Sequence, residues 1–228
     1  MSIIGHRPSI TGITTNSLFK KSKYMKQTKK IQSRNPEKNP KGREKGISTQ
    51  PSKLEKFFTD QLKDIYYAEQ KILQSLPKMK DAATTDELKN AFEDHLKQTR
   101  RHVKRLQDVF NMINIHAEGK VCEAIEGITG EAESIIKETE EGTMTRDAAL
   151  IMAAQKVEHY EIATYGGLVQ FAITIGLHEV ADILDRTLRE EEDTDALLTE
   201  IAENDINLAA EHEENNYSWE MREAEAQV

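Results

Sequence analysis

The chain has 228 residues, of which 37% are hydrophobic and 31% are charged, with only five prolines and eleven glycines. This composition is typical of a bundle of amphipathic helices, and no window approaches the roughly 18 apolar residues that span a bilayer. The single cysteine, Cys122, cannot form an internal disulfide, so nothing in the sequence argues for an oxidising compartment.

The net charge of −9 is divided unevenly along the chain. Residues 1–50 hold twelve Lys or Arg against Glu37 and Glu44, whereas residues 51–228 hold nineteen bases and thirty-eight acids. The first segment has no sustained apolar period, so it buries too little surface to offset the entropy of ordering. We therefore predict a disordered basic N-terminal tail over residues 1–50. Three interpretations stay open for it: a solvated tail, a basic arm that weakly contacts nucleic acid or the protein's own acidic body, or a true start at Met25.

An apolar stripe at helical spacing begins at Leu54 and predicts a first long helix. We expect it to end near Pro77 or one turn later, because proline disrupts a helix interior. Glu69 replaces the apolar residue expected midway between Ile65 and Ile72. The first helix therefore carries one acid on its inward face.

A second long helix is predicted from about residue 86 to residue 113. Its inward row is interrupted by His95, Thr99 and His102. The two histidines are seven residues apart, which is about two helical turns, so they lie on the same face.

A shorter amphipathic helix over roughly residues 120–140 has no inward polar cluster, and we assign it to packing and connection. The third long helix, about 146–175, places Glu158 and Glu161 on its inward face. A buried charge is too costly to remain unpaired, so these acids require protonation, an ion pair or a metal ion. Gly166-Gly167 in the helix interior costs about 1 kcal/mol per glycine, which either close helix packing or a kink would explain.

The last long helix is predicted over about residues 178–212, and its stripe includes Leu188, Glu191 and Asp195. We interpret Glu190 and the acids after it as a solvated charge run, and Tyr165 as a core or rim aromatic residue. An acidic, frayed C-terminal tail is expected over residues 214–228.

Each of the four long helices thus has a polar interruption near its middle, and in a four-helix bundle such positions converge. Carboxylates with one or two imidazoles suit iron, manganese or zinc, and two cations would neutralise several buried acids at once. The alternative is a metal-free core in which the acids, histidines and tyrosines bond to one another. The predicted metal ligands are Glu69, His95, His102, Glu158, Glu161, Glu191 and Asp195.

Five segments follow a known pattern: residues 64–70, 76–79, 95–99 and 157–163, and Thr187-Leu188 with the acids after it. Together they resemble the YciE/YciF family of bacterial ferritin-like stress proteins over about residues 52–212. The resemblance implies a cytoplasmic homodimer with a link to stress. It also implies an all-α, ferritin-like four-helix bundle over residues 51–213, with one additional shorter helix before the third long helix.

The sequence departs from the ferritin-like pattern of Glu-x-x-His on two helices. The second helix has Thr99-x-x-His102, and the last has Glu191-x-x-Thr194 or Glu192-x-x-Asp195, without histidine. A two-ion site and a degenerate, weak or single-metal site therefore remain alternatives.

Two functions from different classes follow from these patterns. One is a stress-associated protein with two iron or manganese ions that acts in iron and peroxide chemistry. The other is a metal-free structural or interaction protein. Metal analysis of protein purified without chelator separates them.

Overall fold

The structure is a computed structural model and describes residues 50–213, in which all regular structure is helical. The helices are α1 (Lys53–Ala82), α2 (Asp86–Met112), α3 (Glu123–Glu138), α4 (Met144–Thr174) and α5 (His178–Ile201), followed by a π-helical segment (Ala202–Ile206) and α6 (Asn207–Glu211). The predicted all-α fold is confirmed, including the shorter helix before the third long one. Apart from Gln50, both predicted tails lie outside the described residues.

The four long helices, α1, α2, α4 and α5, form the bundle, and each contacts two neighbours: α1 with α2, α2 with α5, α5 with α4, and α4 with α1. The shorter α3 packs across α1 and α4. Apolar residues fill the inner faces, with Phe58, Phe92 and Phe110 among the largest buried side chains. No helix formed by residues 50–213 combines the length and apolar character that a bilayer span requires.

Local hydrogen bonds fix where α1 begins. Ser52 Oγ accepts from the Glu55 amide, and the Glu55 carboxylate accepts from the Ser52 amide, which forms a capping box. Pro77 lies inside α1, and the helix continues for about one more turn. Proline removes only one backbone donor, and the burial of Leu76 and Met79 on either side of it keeps the turn in place.

The loop between α1 and α2 is fastened to the start of α4 by Asp147, which is fully buried. Its carboxylate accepts from the Thr84 amide at 2.6 Å, from the Thr85 amide at 2.8 Å and from Thr85 Oγ1 at 2.7 Å. Thr85 also caps α2 by accepting from the Leu88 amide. One charged acceptor thereby sets the relative height of α2 and α4.

The helix α4 runs unbroken through Gly166-Gly167. A Cβ atom added at either glycine would meet nothing within 4 Å among the described residues, so close helix packing within this part of the chain does not explain the pair. Gly176, with φ +85°, allows the turn that follows α4, where the Leu177 amide donates to the Ala172 carbonyl at 2.8 Å.

At the other end of α4, the last described residue contacts the first turn. Glu213 accepts hydrogen bonds from the Met144 amide, from the Thr145 amide at 2.9 Å and from Thr145 Oγ1 at 2.8 Å. A carboxylate at a helix N-terminus satisfies free amide donors and complements the helix dipole. The segment after α5 therefore ends as a cap on α4.

Candidate metal centre

Six of the seven predicted ligands are buried and meet in the middle of the bundle. Each long helix contributes to the cluster: α1 supplies Glu69, α2 supplies His95 and His102, α4 supplies Glu158 and Glu161, and α5 supplies Glu191. None of the six side chains is more than 4% exposed. The polar interruptions in four separate sequence stripes thus form one buried cluster.

The six residues form two overlapping groups, and within each group the nearest ligand atoms all lie within 4.8 Å of one another. His95, Glu158, Glu161 and Glu191 make up the first group, which we call position A. Glu69, His102 and Glu191 make up the second, which we call position B. Glu191 belongs to both, so its two oxygens suit a bridge between two ions.

Eight buried nitrogen and oxygen atoms in this cluster have no hydrogen-bond partner among residues 50–213. They are Glu69 Oε2, His95 Nε2, His102 Nδ1, Glu158 Oε2, and both carboxylate oxygens of Glu161 and of Glu191. Buried polar atoms are bonded in the large majority of cases, so a concentration of exceptions requires an explanation. Carboxylate and imidazole groups that converge in this way fit the ligand set of transition-metal ions.

The His95 imidazole lies between two carboxylates. Its Nδ1 is 3.0 Å from Glu158 Oε1, and its Nε2 is 3.8 Å from Glu191 Oε2. Burial lowers the pKa of His95, but the two carboxylates outweigh it and raise the pKa to about 9. The side chains themselves therefore favour a protonated His95.

The His102 imidazole has an ion-pair partner at each nitrogen. Its Nδ1 is 2.8 Å from Glu191 Oε1 and 3.5 Å from Glu69 Oε1, but makes a well-directed hydrogen bond to neither. Its Nε2 is 2.8 Å from Glu190 Oε2. Burial lowers the pKa of His102, yet the contacts with Glu191 and Glu69 raise it to about 10.

The four carboxyl groups differ in how easily they ionise. Burial raises the pKa of Glu161 well above its ordinary value, and the neighbouring acids raise it further. Burial also raises the pKa of Glu69. It raises the pKa of Glu158 to about 7, although the nearby His95 lowers it. Burial acts on Glu191 as well, but His102 and His95 hold its pKa below the ordinary value. The shared acid is thus the one most readily ionised.

The seventh predicted ligand, Asp195, lies outside both groups. Its side chain is 22% exposed, accepts from Gln155 Nε2 at 3.4 Å and lies 3.6 Å from His159 Nε2. The inward row of α5 contains Thr187, Glu191, Thr194 and Leu198 rather than Leu188 and Asp195. The register of α5 therefore turns Asp195 toward the surface beside α4.

Two threonines occupy the places where the ferritin-like pattern has ligands. Thr99 is fully buried, and its Oγ1 donates to the His95 carbonyl at 3.0 Å. Thr194 Oγ1 bonds to Gln98 Oε1 at 3.1 Å and to the Glu190 carbonyl at 2.9 Å. Both hydroxyls are satisfied by neighbours, so the centre has fewer ligands than Glu-x-x-His on two helices would supply.

The sequence interpretation missed two residues that contact ligands. Glu190, expected in a solvated charge run, accepts from Arg105 Nη2 at 2.7 Å, from Arg105 Nη1 at 3.0 Å and from His102 Nε2. Burial opposes its ionisation, but Arg105 and His102 lower the pKa of Glu190 to about 2. Tyr165 is fully buried, and its hydroxyl donates to Glu69 Oε1. A usable signal was the spacing of Arg105, which follows His102 by three residues on the same helix face.

The bundle and its carboxylate–histidine core define a ferritin-like helical protein. Residues 53–211 match the family described as "Domain of unknown function (DUF892)", and the chain belongs to this family. Over 160 residues it is 41% identical to protein YciF of Escherichia coli (strain K12), covering 70% of this chain and 96% of that protein. The resemblance to the YciE/YciF family is thereby confirmed.

Solved structures agree with this assignment. The crystal structure of the E. coli stress protein YciF matches with a TM-score of 0.66 and 40% identity, covering 69% of this chain and 99% of that one. YcfI of Rhodopseudomonas palustris matches with a TM-score of 0.63 and 36% identity, covering 67% and 97%. A protein of Xanthomonas campestris pv. campestris, at 23% identity and a TM-score of 0.54, covers 70% and 97% and shares the fold.

Proposed function

We propose that this is a stress-associated protein whose bundle binds two iron or manganese ions and uses them in iron and peroxide chemistry. The observation that carries the proposal is the set of eight buried polar atoms, contributed by all four long helices, that have no hydrogen-bond partner among residues 50–213. The link to stress rests on the similarity to YciF, which is called a stress protein.

The charges of the cluster support two divalent ions. Four carboxylates, at Glu69, Glu158, Glu161 and Glu191, carry a charge of −4 when ionised, which two divalent cations neutralise. The ion at position A would be held by His95, Glu158 and Glu161, and the ion at position B by Glu69 and His102. Glu191 would be a ligand of both ions. Metal binding must then displace protons from the imidazoles and from the acids whose pKa is raised, so affinity increases with pH.

Two ferrous ions held in this way would supply the two electrons that, with two protons, convert one molecule of hydrogen peroxide to two of water. The polypeptide's contribution is to hold the ligands in place, exclude bulk water and store protons. Glu161 and Glu158 are suited to hold protons because burial raises the pKa of each. Thr99 and Thr194 stand where further ligands would be, and their hydroxyls bond to backbone carbonyls instead.

The test begins with metal analysis of protein purified without chelator. We expect chelator-treated protein to bind two ferrous or manganous ions per chain under anaerobic conditions, and the ferrous form to consume peroxide. Glu158→Gln should abolish stoichiometric binding. Asp195→Asn is the matched control, because this acid lies outside the cluster and its replacement should leave both ions bound. Failure of the wild type to bind iron, manganese or zinc would refute the proposal.

One observation favours the alternative, a metal-free structural or interaction protein. His95 lies 3.0 Å from Glu158 and His102 lies 2.8 Å from Glu191, so two imidazolium ions can neutralise two of the four acids. In that case no metal co-purifies, added iron leaves the thermal stability unchanged, and neutral replacements at either histidine destabilise the protein strongly.

A further inference from the structure

Position B has a supporting contact from Tyr165, which is not itself a ligand. Its hydroxyl donates to Glu69 Oε1, while Glu69 Oε2 has no hydrogen-bond partner in the part of the chain that the structure describes. Both side chains are fully buried, so neither exchanges this contact for water. The bond fixes the carboxylate plane of Glu69 and leaves its second oxygen for a cation.

The imidazole of position B is fixed from its other side by Glu190. Arg105 donates two hydrogen bonds to the Glu190 carboxylate, which keeps that group anionic and able only to accept. His102 Nε2, 2.8 Å from Glu190 Oε2, must therefore carry the hydrogen. The nitrogen left to bind a cation is Nδ1, and this is the atom that lies within 4 Å of Glu191 and Glu69.

At position A, no comparable contact from a residue outside the ligand set is found within residues 50–213. Neither oxygen of Glu161 has a hydrogen-bond partner within the described part of the chain, nor has Glu158 Oε2 or His95 Nε2. His95 Nδ1 forms an ion pair with Glu158, which is itself a ligand of position A. Position A is thus assembled from its own ligands, whereas position B is braced by two further residues.

We propose that Tyr165 and Glu190 are positioning residues for position B and that they make the two metal positions unequal. This inference rests on the proposed two-ion function. Partners that orient a ligand fix its tautomer and direction, and their removal lowers metal affinity by about ten- to a hundred-fold. Loss of Tyr165 or Glu190 should therefore weaken one of two ions and spare the other.

The experiment is a calorimetric titration of the chelator-treated full chain with Mn²⁺, repeated with Co²⁺ while its visible absorption is recorded. For Tyr165→Phe and for Glu190→Ala we expect two ions per chain, of which one binds about ten- to a hundred-fold more weakly than in the wild type. Glu190→Gln keeps an acceptor for His102 Nε2, so it should lose less than Glu190→Ala. The Co²⁺ absorption of the weakened ion should shift, because one of its ligands, Glu69 in Tyr165→Phe and His102 in Glu190→Ala, is no longer held in one orientation.

Matched controls come from the same helices. Tyr160→Phe removes a tyrosine hydroxyl of α4 that bonds Asp64 and Cys122 rather than a metal ligand. Glu192→Ala removes an exposed acid of α5. Both variants should bind two ions with wild-type affinity. Arg105→Gln should weaken binding of the same ion as Glu190→Ala. Because Arg105 is partly exposed, this variant still tests the inference if a variant with a change in the core fails to fold.

The outcomes separate this inference from the function on which it rests. If the wild type binds no Mn²⁺ or Co²⁺, both fail. If the wild type binds two ions and the variants weaken both equally, or neither, the two-ion function stands and the assignment of Tyr165 and Glu190 is overturned.

Discussion

Glu161 offers the sharpest test of how the buried cluster is balanced. Its side chain is fully buried, and neither carboxylate oxygen has a hydrogen-bond partner within residues 50–213. Burial first, and then the charges of Glu191 and Glu69, raise the pKa of Glu161 well above its ordinary value of 4.5. Glutamine has nearly the same shape and does not ionise, so Glu161→Gln removes the titration while conserving the packing.

The sign of the effect follows from proton linkage. Above pH 4.5 the unfolded chain loses the Glu161 proton, whereas the folded chain retains it until the higher folded pKa is reached. In this range Glu161 lowers the free energy of unfolding by about 1.4 kcal/mol for each pH unit. Chelator-treated Glu161→Gln should therefore be more stable than wild type, and its advantage should grow by about 1.4 kcal/mol per pH unit from pH 5 until the folded pKa of Glu161 is reached.

Urea unfolding with chelator at pH 5, 6 and 7 measures this difference. The control is Glu192→Gln on the exposed face of α5, which should stay within about 0.5 kcal/mol of wild type. Saturating Mn²⁺ should reverse the order, since the wild type gains about 2.7 kcal/mol at a metal concentration of 100 Kd and the variant gains less. A Glu161→Gln protein that is less stable than wild type, or whose advantage does not change with pH, would refute this account.

Three further predictions concern groups that are paired. Glu158→Gln should change the stability of chelator-treated protein little in urea unfolding at pH 7, because losing the partner of His95 is offset by removing a buried acid whose pKa burial raises to about 7; a loss of about 3 kcal/mol or more would contradict that balance. Burial lowers the pKa of His95, but its carboxylate neighbours raise it to about 9. The protonated imidazole therefore contributes its full stabilisation below pH 6.5, and this stabilisation is lost as the pH rises from 6.5 to 9. His95→Gln should flatten this part of the pH profile, and a profile identical to wild type would argue against a charged imidazole. Asp147→Ala should cost about 2 kcal/mol in urea unfolding, since the partly buried amides of Thr84 and Thr85 lose their acceptor, whereas Asp147→Asn should cost less. An alanine variant as stable as wild type would exclude this role.

Periodicity predicted the long helices and six buried polar residues because a polar interruption of an apolar stripe is visible along a single helix. It failed at the register of α5. Adjacent residues point about 100° apart, and hydropathy favoured Leu188 over Thr187 for the inward row. The structure buries Thr187 and Thr194 instead, so Asp195 turns outward. Two inward threonines on an otherwise apolar row gave no signal of their own.

The contacts of Glu190 and Tyr165 could not be predicted from the sequence, because the spacing of Arg105 from His102 indicates only that a base shares the helix face of a ligand. Glu190 meets Arg105 across 85 residues of sequence, and Tyr165 meets Glu69 across 96. Both contacts depend on which faces of which helices meet in the bundle. A glutamate in a run of acids and a tyrosine on an apolar face are ordinary features until the partner helix is known.

The cap that Glu213 places on α4 has a consequence for local motion. Its carboxylate bonds the amides of Met144 and Thr145, at the beginning of the helix that carries Glu158 and Glu161. The two amide hydrogens should therefore exchange with solvent slowly, although they belong to a helix end, where fraying is usual. A chain that stops at residue 206 should expose them to rapid exchange, while amides near Glu158 keep the protection of the whole bundle. The segment between α5 and Glu213 would then control when α4 begins to open.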